Sequence, residues 1–337
     1  MADEPEVNVD KKLKPSLAVD EQIAHLKSKG VTFNLCSEDG AAEYLHSANN
    51  FLRASSYRRL YPVKASGKHA GEYAGLDFGH LHSLSSLDRR FRACFLAITL
   101  DIEHFARMEV LDKCEEHGED GYSIVQDYLH ANLNHKGRNS IEGGLKSRGA
   151  DGDTHDEYSG DLIAKHLGQD EHLDRMPVWV FLETIEFRRF TDFYLFCAER
   201  WADEQMLQQH YVLKSVKALR NACAHNSCIL NDVGGSSAKS DKKANKLVTD
   251  SLNEHGMGRS KSRRKKLSNI RIAQMAATLY ADSLFCERPH TKQRHAEMLG
   301  ELRCAWRGAE GIFAKNPAIT SFFDFFFKLV DIWVPEA

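Results

Sequence analysis

Apolar residues recur every three or four positions through most of this chain, and nowhere does a sustained apolar–polar alternation mark a strand. The clearest run covers residues 84–114, where Leu84, Leu87, Phe91, Cys94, Phe95, Ile98, Ile102 and Phe105 share one face of a long predicted helix. Before it, Leu17, Ile23 and Leu26 predict a helix over 16–29 that Gly30 stops. A second helix is expected over 41–60, and the glycines at 67, 71, 75 and 79 predict a loop over 64–79. Residues 137–170 hold seven glycines among many charges, the pattern of a loop insert interrupted by a short helix at 161–167. Pro177 then opens a helical segment to Trp201 whose aromatic stripe (Phe181, Phe187, Phe190, Phe193, Tyr194, Phe196) reads as core, not as a base-stacking platform. Helices over 207–221, 270–285, 296–313 and 320–334 complete an all-α chain without an internal repeat.

Length and composition bound this picture. The 337 residues allow one large or two ordinary domains, and 42% hydrophobic content supplies a sizeable core. A net charge of −3 means that a polyanion must meet a local patch and not the molecule as a whole. The 8 cysteines form no Cys-x-x-Cys pair, and the acidic start carries no secretory pattern; a cytoplasmic, reduced setting is expected. The apolar-rich run 322–334 contains Asp324, Lys328 and Asp331 and is shorter than the roughly 20 residues of a membrane span. It is expected to be a core or dimer helix, with no membrane partner. Residues 1–13 read as a disordered tail.

After Asn231 the composition shifts. Residues 239–271 hold 7 Lys and 4 Arg against 2 Asp and 1 Glu, a net +8. The span 232–270 is expected to be a basic flexible segment, and 271–337 to be helices packing on the same domain. Arg259, Lys261, Arg263, Arg264, Lys265 and Lys266 are dense enough to attract phosphates; a solvated linker is the bland alternative.

Candidate chemistry sits in Arg220-Asn221-Ala222-Cys223-Ala224-His225-Asn226, where a helical repeat (Val212, Val216, Leu219) runs into small residues. Arginine forks onto phosphate oxygens, and histidine titrates near neutrality. In a continuous helix, residues five apart lie about 140° apart around the axis. Arg220 and His225 can therefore face one point only if the helix ends inside the motif, or if two chains each contribute. The same residues allow two other readings. Arg220 and His225 could cap a helix end, or Cys223, His225 and Cys228 could hold a metal without a fourth ligand at the usual spacing. His290 and His295 near Cys286 are a still weaker metal pattern, and no metal is expected.

This motif, with Leu230-Asn231 after it, resembles the signature of the Abi-like (abortive infection) proteins, placed in the HEPN superfamily of helical proteins, many of them ribonucleases, with its Arg-x(4–6)-His motif. Lys14-Pro15-Ser16 followed by 21–31 is similar to the family's opening. Asp88-Arg89-Arg90-Phe91-Arg92 with Ile102-Glu103 and Arg107 is similar to its next helix, and Pro177-Val178-Trp179 to its Pro-x-Trp segment. The likeness runs over 14–231. It implies a HEPN-like helical bundle with additional N- and C-terminal helices and a basic insert. It also implies a homodimer with two motifs facing across the interface, and metal-independent endoribonuclease activity in antiphage defence. On that implication His225 is acid or base, Arg220 neutralises the transition state, and Asn221 and Asn226 hold imidazole or phosphate. Products would be a 2′,3′-cyclic phosphate and a 5′-hydroxyl. Glu103 and Arg107, four apart on one helix face, would orient the catalytic groups or form only a surface ion pair. The other functional reading is a non-catalytic RNA-binding protein held by a cognate small RNA; a protein antitoxin is a further possible partner.

Overall fold

The computed structural model describes residues 16–131, 141, 143–145, 159–166, 175–234 and 244–335. The tail at 1–13 and most of the 137–170 insert lie outside them. Every regular element among the described residues is a helix, with no strand among them beyond two isolated bridges, Thr32 with Asp77 and Val63 with Tyr73. The chain divides into two compact units, Met1–Ser86 and Leu87–Ala337.

In the first unit, helix α1 (Val19–Ser28) ends as Gly30 takes φ 76° and the amides of Gly30 and Val31 bond the carbonyls of Lys27 and Leu26. This is the left-handed terminator that glycine supplies most cheaply. The single helix expected over 41–60 is instead α2 (Glu38–Glu43), a π turn (Tyr44–Ala48), α3 (Phe51–Ser56) and a 3₁₀ turn (Tyr57–Leu60). The Asn49-Asn50 pair causes the break. Asn49 is extended, its amide donating to Tyr44 Oη and Ser85 Oγ, while Asn50 caps α3 by accepting the Arg53 N–H. Asp77 accepts from Thr32 Oγ1 and the amides of Asn34, Leu35 and Gly79, tying this unit's loops to the start of α4 (Phe78–Glu116).

In the second unit the apolar face of α4 is buried at Leu87, Phe91, Phe95, Ile98 and Ile102, as its periodicity requires. Helix α5 (Ser123–Ala131) and the short α6 (Gly160–His166), close to the helix expected at 161–167, precede α7 (Val178–Thr184) and α8 (Phe187–Arg200). The expected run from Pro177 to Trp201 is broken at Ile185–Glu186, both extended. Helix α9 (Glu204–Ala224) packs on α8 and on α12 (Ile270–Phe285).

Helices α10 (Lys246–Glu254) and α11 (Lys261–Leu267) stand where a flexible basic segment was expected. Composition misleads there because Val248, Leu252 and Leu267 are buried, Asn245 and Ser260 cap the two helices, and Trp333 Nε1 donates to Ser251 Oγ. Helix α13 (Pro289–Ala309), started by proline at its first position, leads through a 3₁₀ turn to α14 (Pro317–Trp333). Phe323 and Phe326 of α14 lie against Phe91 at ring-centroid distances of 5.8 and 5.0 Å, and Trp306 stacks on Phe323 at 3.7 Å. Of the two readings of the apolar C-terminal run, core and dimer helix, its phenylalanines fill the core of their own chain.

Candidate functional site

Helix α9 carries the motif. Asp203 caps its start by accepting the Met206 N–H at 3.0 Å, and Leu213, Val216, Leu219 and Cys223 form its buried stripe. The helix stops inside the motif. His225 is the last half-helical residue, and Asn226 takes φ 56°. The Asn226 N–H bonds Cys223 O at 3.0 Å and the Ser227 N–H bonds Ala222 O at 2.8 Å. This pair closes a Schellman terminator in which asparagine fills the left-handed place usually given to glycine. The termination leaves His225 and Asn226 exposed.

Arg220 sits one turn earlier, with its side chain 31% exposed. Its Nη2 lies 3.7 Å from Glu103 Oε2, and its Nη1 donates to Asn221 Oδ1 at 3.3 Å. Both contacts are long, so the guanidinium is steered without being consumed. Glu103 is buried, and its other oxygen accepts from Arg107 Nη2 at 2.5 Å. The same Nη2 also donates to Ile185 O at 3.0 Å, while the Arg107 guanidinium lies 5.2 Å from the Phe190 ring centroid. The pair is therefore no surface ion pair. It is a braced carboxylate with one oxygen directed at Arg220.

The segment after the motif is clamped by residues that spacing alone did not single out. The Leu230 N–H donates to Asp88 Oδ1 at 2.6 Å, and Asp88, fully buried, pairs with Arg92. Arg271 donates to Cys228 O at 2.8 Å and Asn269 to Asp232 O at 2.9 Å. A signal for Asp88 existed: with Arg92 it interrupts the apolar face of α4, where charge survives only if paired. Nothing in the sequence marked Arg271 or Asn269.

The basic residues separate into two kinds. Arg259, Lys261, Arg264 and Lys265 are exposed. Arg263 is buried, donating to Asn253 Oδ1 and to Met257 O, so it serves as a strut between α10 and α11 and cannot face a ligand. Lys266 is half-buried; burial, then the charge of Lys265, holds its ammonium below the usual range. Lys265 and Lys266 line a cavity of about 330 Å³ with Ser262, Asn269, Val233 and Gly234. A Cβ on Gly234 would stand 2.8 Å from Ala318 Cβ, so only glycine lets this end of the motif loop approach α14 so closely.

Cys223 is buried and His225 exposed, and among the described residues Cys223, His225 and Cys228 do not converge as a metal site. No helix among the described residues is long and apolar enough to cross a membrane.

The family profile of the Abi-like proteins matches residues 43–231, which contain α4, α9 and the whole motif. The opening likeness at 14–31 falls outside that match. No curated protein and no solved structure matches the chain.

Proposed function

The chain belongs to the Abi-like protein family, and from that premise we propose that it is a metal-independent endoribonuclease of the HEPN type, acting as a toxin-like effector in abortive-infection defence. The observation that carries this reading is the end of α9. The helix runs through Ala224, and the His225 N–H still bonds Asn221 O at 2.9 Å, so Arg220 and His225 stand well apart around one axis. Both reach solvent at the open end of the helix, which favours two chains each contributing to one site. Two copies of the chain, meeting with their motifs face to face, complete the site.

In this scheme the His225 imidazole takes the proton of an RNA 2′-hydroxyl, or gives one to the departing 5′-oxygen. Arg220 neutralises the charge that builds on phosphorus, and the Glu103–Arg107 brace sets its direction. Asn221 and Asn226 offer amides to imidazole or phosphate. The products are a 2′,3′-cyclic phosphate and a 5′-hydroxyl. The test is cleavage of RNA by the purified chain in EDTA, compared with His225→Ala and Arg220→Ala. Loss of at least about 100-fold in each variant supports the assignment; equal cleavage by all three chains removes it. Light scattering at several concentrations reads the dimer separately.

The exposed cations of α11 and the cavity beside them support a second reading: RNA binding without cleavage, with a cognate small RNA holding the protein. That reading is marked by a salt-sensitive shift of RNA in a gel, no cleavage, and full retention of binding in His225→Ala. A purely protein-binding regulator is the remaining reading if RNA has no effect on melting.

A further inference from the structure

A second cluster of chemistry lies in the turn between α12 and α13. Asp282 and Cys286 are four residues apart at the end of α12, and His295 lies on α13. All three are buried, His295 completely, and their ligand-type atoms lie within 4.8 Å of one another. His295 Nδ1 is 2.7 Å from Asp282 Oδ1, and His295 Nε2 is 2.7 Å from Asp101 Oδ2 on α4. Asp101 is in turn paired with Arg294. Among the described residues no other group of three or more His, Cys or acidic side chains comes this close.

We propose that Asp282, Cys286 and His295 bind a divalent ion of the zinc class, with Asp101 orienting the imidazole from its far side. The donor set is the argument. One thiolate, one imidazole and one carboxylate suit a borderline-soft ion, and three protein ligands leave a fourth position for water or the second carboxylate oxygen. An imidazole that ligates a metal characteristically donates its other N–H to a carboxylate, and Asp101 stands at that nitrogen at hydrogen-bond distance.

Charge also favours a cation. Two carboxylates, Asp101 and Asp282, flank His295, and Arg294 is paired with Asp101 at the rim. Ligand distances of about 2.0–2.1 Å to nitrogen and oxygen require the Asp282–His295 contact to open by roughly half an ångström, a rotamer-scale adjustment. A site this enclosed takes up its ion as the chain folds, so the ion ties α12 to α13.

The experiment uses the full chain. It is unfolded in chelator, refolded with one equivalent of Co²⁺, desalted, and read by absorption and metal analysis. One ion per chain, with tetrahedral d–d bands and a thiolate-to-cobalt charge-transfer band, is the expected result. Cys286→Ser should remove the charge-transfer band, and Asp101→Asn should weaken affinity 10–100-fold while keeping it. If Cys286→Ser is insoluble, the Asp101→Asn titration decides alone. No retained metal in the wild-type chain overturns the proposal, leaving a hydrogen-bonded ion network only. Equal retention by all chains overturns it as well, as binding elsewhere. Cleavage of RNA in EDTA is measured on the same samples and stands or falls on Arg220 and His225, not on this ion.

Discussion

Arg263 and Arg264 are neighbours in a basic run, yet they face opposite fates. Arg263 is buried and bonded to Asn253 and Met257, whereas Arg264 is exposed. Arg263→Ala should therefore cost stability, about 2–4 kcal/mol through the carbonyl and amide it leaves unpaired, read by urea melts. Arg264→Gln should leave the melt within about 0.5 kcal/mol. If the surface binds RNA, the same change lowers the slope of log K against log salt by about 1. An equal loss of stability in both variants would show that neither residue is a free surface cation. Asp88 is the other residue whose role is set by its surroundings. Asp88→Asn keeps an acceptor for the Leu230 N–H but strands the buried Arg92, so a loss of about 3–5 kcal/mol is expected in the same assay.

At the scale of elements, the decisive feature is the terminator of α9. Asn226 in the left-handed region stops the helix and turns the chain out at His225. Asn226→Gly should hold stability within about 0.5 kcal/mol, and Asn226→Ala should cost about 1 kcal/mol, since alanine pays the full left-handed penalty. If Asn226 also touches RNA, the glycine variant loses cleavage while keeping its melting temperature; equal cleavage confines it to the turn. The helices α10 and α11 show the opposite lesson. Charge density predicted flexibility, but a few apolar anchors and two caps were enough for helix. The +8 span is thus an ordered surface over much of its length, with 235–243 outside the described residues.

For the whole molecule, pH offers a test of the core that does not depend on function. His210 on α9 is buried and bonded through Nδ1 to Thr191 O; burial, then Lys214, holds its imidazole below the ordinary value. The unfolded chain then binds a proton at this site more readily than the folded one. Its stability contribution is full above pH 6.5 and is lost as pH falls through the folded-state value. His210→Gln should flatten the stability profile as pH falls below 6.5, measured by urea melts across the acid limb. An unchanged profile would mean that other groups govern the acid limb.

The all-α class, the long helix ending near 114, the glycine stop after α1 and the position of the Arg-x4-His motif were all legible in the order of residues, because helical periodicity and left-handed stops are local properties. The Abi-like likeness was legible too, since motif residues are read one by one. What only the tertiary structure decided is which charges are buried. Glu103 and Arg107 read equally well as a surface pair until Ile185 and Phe190 closed over them. Asp88 reaches Leu230 across more than a hundred residues, and Asp101 reaches His295 across nearly two hundred. No window of sequence contains such pairs: desolvation and charge pairing depend on what the rest of the chain brings alongside.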